Sequence, residues 1–169
     1  MSIRKTVDVF RQFGSDVLSI ILLYVDELEL VLILQNLCPR ALKHIMITAN
    51  ALSRVKARNY RFVRKLDIEN ATRLSKNMLK NFPDLEELYC SGCIQIDDEI
   101  LQHLPKLTAL SCRGCYPITD LGLPLLLTTL DCSNCFRITD RGIRQLTLLT
   151  VLICRGCPKI TNQSIWDGV

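Results

Sequence analysis

The chain has 169 residues, of which 49% are hydrophobic and 22% charged, a composition typical of globular rather than disordered proteins. Its net charge of +4 arises in residues 1–64, which hold ten Lys or Arg against five Asp or Glu. This excess is too small to indicate a nucleic-acid partner.

The most apolar stretch, residues 17–25, is short and is followed directly by acidic residues. It is therefore not expected to span a membrane or to act as a secretory signal. We expect an intracellular protein, cytoplasmic or nuclear, whose nine cysteines are reduced. We expect it to bind neither membranes nor nucleic acids.

Residues 1–13 carry few structural signals and are interpreted as an N-terminal tail. Residues 14–62 then contain dense apolar runs that are interrupted by Asp26-Glu27 and by Cys38-Pro39. This pattern predicts short helices packed into a small bundle. Two of the predicted helices cover residues 41–46 and 49–62.

The stretch from Asp16 to Leu30 resembles the start of an F-box, which has a hydrophobic first helix, an acidic turn and a leucine-rich second helix. The resemblance covers about residues 15–55 and implies binding to the adaptor subunit of a cullin-type ubiquitin ligase. The residues implied in adaptor binding are Val17, Leu18, Ile21, Leu22 and Leu30. An alternative is that these helices only cap the open end of a repeat array.

The second half of the chain repeats the phrase Leu-x-x-Leu-x-Cys-x-x-Cys-x-x-Ile, with copies that begin at residues 85, 107, 127 and 149. The second leucines are 22, 20 and 22 residues apart, and an earlier copy of the frame begins at Val63. This period predicts one strand and one helical return per repeat. We therefore predict an α/β solenoid of about five repeats over residues 63–169, with parallel strands.

Two details of the returns follow from the sequence. The third return is two residues short and contains Pro124, which predicts a single helical turn there. Thr119, Thr139 and Thr161 are placed to cap the helical turns that follow them.

The repeats resemble the cysteine-containing class of leucine-rich repeats over about residues 63–169. Proteins that combine this class with an F-box are typically substrate receptors of cullin-type ubiquitin ligases. The resemblance implies that role for this chain.

The cysteines allow two interpretations. Cys90, Cys93, Cys112 and Cys115 have the spacing of a zinc site. However, the earliest copy of the frame carries Ile68 and Ala71 at the two cysteine positions. Isoleucine cannot replace a metal ligand, whereas it can replace a cysteine that packs as a small hydrophobe. We therefore expect no metal and no cofactor, with the first cysteine of each pair in the core.

The second cysteine of each pair is predicted at a turn, where its thiol can donate to the backbone of a neighbouring repeat. Solenoids usually bind their partners on the concave face formed by the strands. The side chains predicted to bind a partner there are Glu69, Glu87, Tyr89, Ser91, Ser111, Arg113, Asp131, Ser133, Ile153 and Arg155. Tyr89 and Arg113 are residue types enriched in binding hot spots.

No catalytic motif is recognisable in the sequence, so we do not expect an enzyme. The sequence predicts a protein–protein interaction scaffold, and the leading hypothesis is a substrate-recognition receptor of an SCF-type ubiquitin ligase. Its expected partners are the ligase adaptor and a substrate protein. The alternative is a free-standing leucine-rich-repeat binding module without a ligase.

Overall fold

The computed structural model describes residues 31–32, 35–36, 39–44, 46–52, 54–71 and 75–161. The predicted tail and all five residues implied in adaptor binding (Val17, Leu18, Ile21, Leu22 and Leu30) lie outside these residues. Within them, no helix has the length and apolar character needed to cross a membrane.

Six strands of three residues each form one parallel sheet, in which every strand lies beside the next strand in the chain. The strands are β1 (Met46–Thr48), β2 (Lys65–Asp67), β3 (Glu87–Tyr89), β4 (Ala109–Ser111), β5 (Thr129–Asp131) and β6 (Val151–Ile153). Leu66, Leu88, Leu110, Leu130 and Leu152 stand side by side in the register. The predicted solenoid and its repeat frame are confirmed.

The sheet contains six strands where the sequence predicted about five. The extra strand, β1, pairs with β2 and places Ile47 beside Leu66, yet the region 14–62 was predicted to be helical. Ile47 is fully buried and fills the position of the repeated leucine. Periodicity alone cannot separate such a short apolar run from part of a helix, so the strand was missed.

Short helices connect the strands on the other side of the core. Between the strands lie the α-helices α1 (Ala49–Leu52), α2 (Asp98–Gln102) and α3 (Asp140–Arg144). The 3₁₀ helices between the strands are Ala57–Phe62, Lys76–Asn81 and Asp120–Gly122, and the 3₁₀ helix Pro39–His44 precedes β1. The single turn predicted for the third return is confirmed by the three-residue helix Asp120–Gly122.

The prediction of a single helix over residues 49–62 is wrong, because two shorter helices, Ala49–Leu52 and Ala57–Phe62, occupy that range. Between them, Lys56 has an extended backbone (φ −69°, ψ 137°). Its N–H donates to the side-chain oxygen of the buried Gln35 at 2.8 Å. The backbone oxygen of Gln35 accepts a hydrogen bond from the amide of Asn59, which is also buried. In a continuous helix the Lys56 N–H would donate to a backbone carbonyl four residues earlier instead.

A ladder of carboxylates and hydroxyls joins the returns. Thr119 accepts a hydrogen bond from Leu121 N, and Thr139 accepts one from Arg141 N, which confirms the predicted capping at both. The backbone N–H and hydroxyl of Thr139 also donate to Asp120 of the preceding repeat at 2.7 and 2.6 Å. The same pair of bonds links Thr119 to Asp98.

Thr161 makes the equivalent bonds to Asp140. The turn that Thr161 was predicted to cap lies outside the described residues. The ladder therefore crosses three successive repeat boundaries and fixes their spacing.

Gly142 is buried in α3 because the ladder leaves no room for a side chain there. A Cβ at this position would collide with the Asp120 carboxylate, which Thr139 holds in place. We predict that Gly142→Ala destabilises the protein by about 1–3 kcal/mol through overpacking. Helix propensity alone predicts the opposite sign, a gain of about 1 kcal/mol. Urea denaturation of the full chain measures the change.

The double variant Asp120→Ala/Gly142→Ala provides the control. Removal of the carboxylate should abolish most of the additional cost of Gly142→Ala. A stabilising Gly142→Ala, or a cost that persists without Asp120, would contradict this explanation of the glycine.

Candidate protein-binding face

In the last four repeats the cysteines occupy two positions. The predicted core location of the first cysteine is confirmed except at Cys154, which is only partly buried. Cys90, Cys112 and Cys132 are fully buried directly after their strands. The second cysteine of each pair donates its thiol to a backbone carbonyl of the preceding repeat. These bonds are Cys93 to Ile68 (2.9 Å), Cys115 to Cys90 (3.1 Å), Cys135 to Cys112 (3.1 Å) and Cys157 to Cys132 (3.0 Å).

The environment of the first cysteine in each pair disfavours ionisation. A hydrogen bond with Cys115, together with burial, raises the pKa of Cys90 well above its ordinary value. The neighbouring Cys135, whose sulfur lies 4.0 Å away, and burial do the same for Cys112. Neutral, buried thiols are poor nucleophiles and poor metal ligands. Among the described residues, no group of three or more Cys, His, Asp or Glu side chains could hold a metal ion.

Cys112→Ser tests the packing role of these cysteines. The shorter and more polar hydroxyl would be buried at a site built for sulfur, so we expect a loss of about 1–3 kcal/mol in the free energy of unfolding. Cys154→Ser is the matched control, because Cys154 is only partly buried and should cost clearly less. Equal costs for the two variants, measured by urea denaturation, would contradict the assignment.

The side of the sheet that faces away from the core, here called the strand face, carries three rows of side chains. The first row is Lys65, Glu87, Ala109, Thr129 and Val151, and the second is Asp67, Tyr89, Ser111, Asp131 and Ile153. The third row is Glu69, Ser91, Arg113, Ser133 and Arg155. The sequence placed this third row on the strands, whereas the structure places it in the turns that follow them.

Two ion pairs connect neighbouring repeats across the strand face. Lys65 lies 2.8 Å from Glu87, and Arg113 lies 3.2 Å from Asp131. The hydrogen bond to Glu87 raises the pKa of Lys65 above its ordinary value. Exposed pairs of this kind add at most about 1 kcal/mol to stability. Their main effect is to orient long side chains that would otherwise move freely.

Hydroxyl groups form a second set of contacts on this face. Ser91 lies within hydrogen-bond distance of Glu69 (2.7 Å) and of Ser111 (3.1 Å). Ser133 donates to Asp131 at 2.8 Å. Ser111 and Ser133 are only 7% and 5% exposed, so they offer a partner little contact area.

The remaining predicted binding residues are more accessible. Arg113 is 56% exposed at its side chain, and Ile153 is 41% exposed. Tyr89 is half-buried, and this burial raises its pKa above the ordinary value. Glu69 and Arg155 lie exposed at opposite ends of the third row. The role of all ten residues in partner binding stays a prediction.

The sequence analysis missed an aromatic pair beside this face. Tyr116 and Phe136 are 52% and 47% exposed and stack with their ring centroids 5.7 Å apart and their planes at 9°. Both directly follow the second cysteine of their repeat, and Ile94 occupies the same position one repeat earlier with 65% exposure. The sequence could have revealed this surface, because an apolar residue directly follows the second cysteine in three successive repeats.

Short parallel strands that alternate with helical or 3₁₀ returns every 19–22 residues define a leucine-rich-repeat solenoid. No protein-family model matches the sequence, and no curated protein is significantly similar to it. Among solved structures, the fold is similar to a chain in the crystal structure of the Rad7 and Elc1 complex from yeast, with a TM-score of 0.58 and 16% identity.

That similarity covers 82% of this chain and 42% of the other chain. This chain therefore spans less than half the length of its structural neighbour. At 16% identity the likeness establishes the fold alone.

Proposed function

We propose that this chain is a protein-binding scaffold that recognises its partner on the strand face, and that it serves as a substrate receptor of a cullin-type ubiquitin ligase. One observation carries the first part. The core side of the sheet is sealed by leucine and cysteine, while the opposite side presents Tyr89, Arg113 and Ile153 on strands or turns whose spacing is fixed.

The chemistry of the strand face favours a protein as the partner. Its accessible groups combine an aromatic ring, a guanidinium group and an aliphatic side chain, which are characteristic of protein interfaces. The ion pair with Asp131 orients the Arg113 side chain before binding. Such preorganisation reduces the entropy lost on association.

The ligase role is supported by the resemblance of residues 15–55 to an F-box. The structural neighbour was solved in a complex with Elc1, which is consistent with a chain that works in an assembly. In this proposal the N-terminal segment binds the adaptor and the strand face binds the substrate. The chain then has no catalytic role of its own.

Affinity purification of the full chain from cells, followed by mass spectrometry, tests both parts. We expect Leu18→Asp to abolish recovery of a cullin-ligase adaptor, because a charge would enter the apolar surface implied in adaptor binding. Tyr89→Ala should leave the adaptor bound and reduce recovery of the substrate about tenfold or more, as for truncation of a binding hot spot.

Leu125→Asp is the matched control for the leucine substitution, because Leu125 is 61% exposed on the return side. It should retain both partners. If the wild type recovers no adaptor and Leu18→Asp changes nothing, the ligase role is wrong. A partner that still depends on Tyr89 would then favour the free-standing binding module, the alternative that the sequence left open.

A further inference from the structure

A column of residues with left-handed backbone runs along the turns, one in each repeat. Asn70, Gly92, Gly114, Asn134 and Gly156 have φ values of 56°, 74°, 67°, 61° and 70°. Glycine and asparagine are the residues that adopt this conformation at the lowest cost. The left-handed backbone therefore explains why the column contains only these two residue types. Their order decides over which turns an asparagine side chain occupies the surface.

Each asparagine in the column lies over the glycine of the next repeat. The side-chain oxygen of Asn70 is 2.5 Å from the place where a Cβ on Gly92 would stand, and Asn134 covers Gly156 in the same way. At Gly114 the corresponding residue of the preceding repeat is Gly92, which has no side chain to cover it. Nothing lies within 4 Å of the place where its Cβ would stand.

The result is an open slot over the Gly114 backbone, with Asn70 and Asn134 among the residues that line it. The stacked rings of Tyr116 and Phe136 form one side. Glu69, Ser91 and Arg113 of the third row form the opposite side. The whole groove has a volume of about 620 Å³, which is ample for a long side chain.

The charges around the slot favour a cation. The carboxylate of Glu69 accepts a hydrogen bond from Ser91, and among the described residues no basic side chain lies within ion-pair distance of it. Arg113 also lines the slot, but its charge is balanced by Asp131 at 3.2 Å. The exposed rings of Tyr116 and Phe136 offer an apolar surface to the aliphatic stem of a basic side chain. The carboxylate and the rings thus contact different parts of one long basic side chain.

The length of the guest follows from the repeat spacing. Glu69 and Tyr116 belong to repeats that are two apart, which corresponds to about 9–10 Å along the sheet. A short side chain at Gly114 could not approach both groups. An arginine or lysine can pack its aliphatic stem over Gly114 and against Tyr116 while its charged end points towards Glu69.

We propose that this slot receives a basic side chain, arginine or lysine, from an extended segment of the protein partner. This inference rests on the proposed function, because it assigns to the partner one anchor residue at the edge of the strand face. Glu69 supplies the charge selectivity, and Gly114 supplies the space.

The test uses small probes and the full chain labelled with ¹⁵N. Acetyl-arginine methylamide is titrated while the backbone amide resonances of Gly92 and Gly114 are followed by NMR. Acetyl-citrulline methylamide serves as the neutral probe of the same shape, and acetyl-glutamate methylamide as the anionic one. We expect the arginine probe to bind at least threefold more tightly than the citrulline probe, with no shift caused by glutamate.

Two variants make the result specific. Glu69→Gln should lower the affinity for the arginine probe to that for citrulline, whereas Glu86→Gln, an exposed carboxylate paired with Arg64, should leave it unchanged. Gly114→Asn should abolish the shifts by filling the slot with a residue that tolerates positive φ. Its far-UV spectrum and thermal midpoint report whether the fold is retained.

Equal binding of arginine and citrulline would overturn the proposal, as would a preference for glutamate or shifts confined to other parts of the chain. These outcomes are distinguishable from failure of the proposed function. Suppose that recovery of a partner is lost with Tyr89→Ala but the arginine probe causes no shifts at Gly92 and Gly114. The strand face is then the binding surface, and the slot does not hold an anchor residue of the partner.

Discussion

The structure depends on a hydrogen bond from a buried thiol to the backbone carbonyl of the preceding repeat. It recurs at four repeat boundaries, where it places a small, weakly polar side chain at the turn after each of the strands β3 to β6. A larger residue would push neighbouring repeats apart, while a hydroxyl would bring an added desolvation cost. Cysteine meets both requirements, so the repeated Cys-x-x-Cys phrase reflects packing between repeats.

On the return side, a second ladder of hydrogen bonds, donated by threonine to the aspartate of the preceding repeat, also fixes the spacing of the repeats. Together the two ladders join the repeats that contain strands β2 to β6, whose three-residue strands could not be stable alone. The outward side chains consequently stand in straight rows with little freedom of position. Binding then depends on which residues occupy those rows, and on where the column of asparagine and glycine leaves a gap.

Much of this fold was predictable because large apolar residues recur at fixed positions of the repeat. The positions of Leu88 and Cys90, the short return near Pro124 and the capping by Thr139 all follow from the period. Strand β1 was missed because the Met46–Thr48 segment carries only one buried residue of the frame. The break at Lys56 was missed because it depends on a tertiary contact with Gln35.

The candidate site was less predictable than the fold. The first two rows follow from the alternation of strand residues, whereas the third row lies in the turns. The burial of Ser111 and Ser133 depends on neighbours from adjacent repeats. The slot at Gly114 depends on the order of Asn and Gly in successive turns, and its aromatic side on stacking between Tyr116 and Phe136. Neither relation exists within a single repeat.

The most direct test of the central claim, that the strand face is the binding surface, is photo-cross-linking in cells. A photoreactive phenylalanine analogue is placed at Tyr89 on the strand face or at Leu125 on the return side, and the cross-linked proteins are identified by mass spectrometry. We predict a defined cross-linked protein from position 89 and none from position 125. A defined product from position 125, with none from position 89, would contradict the account.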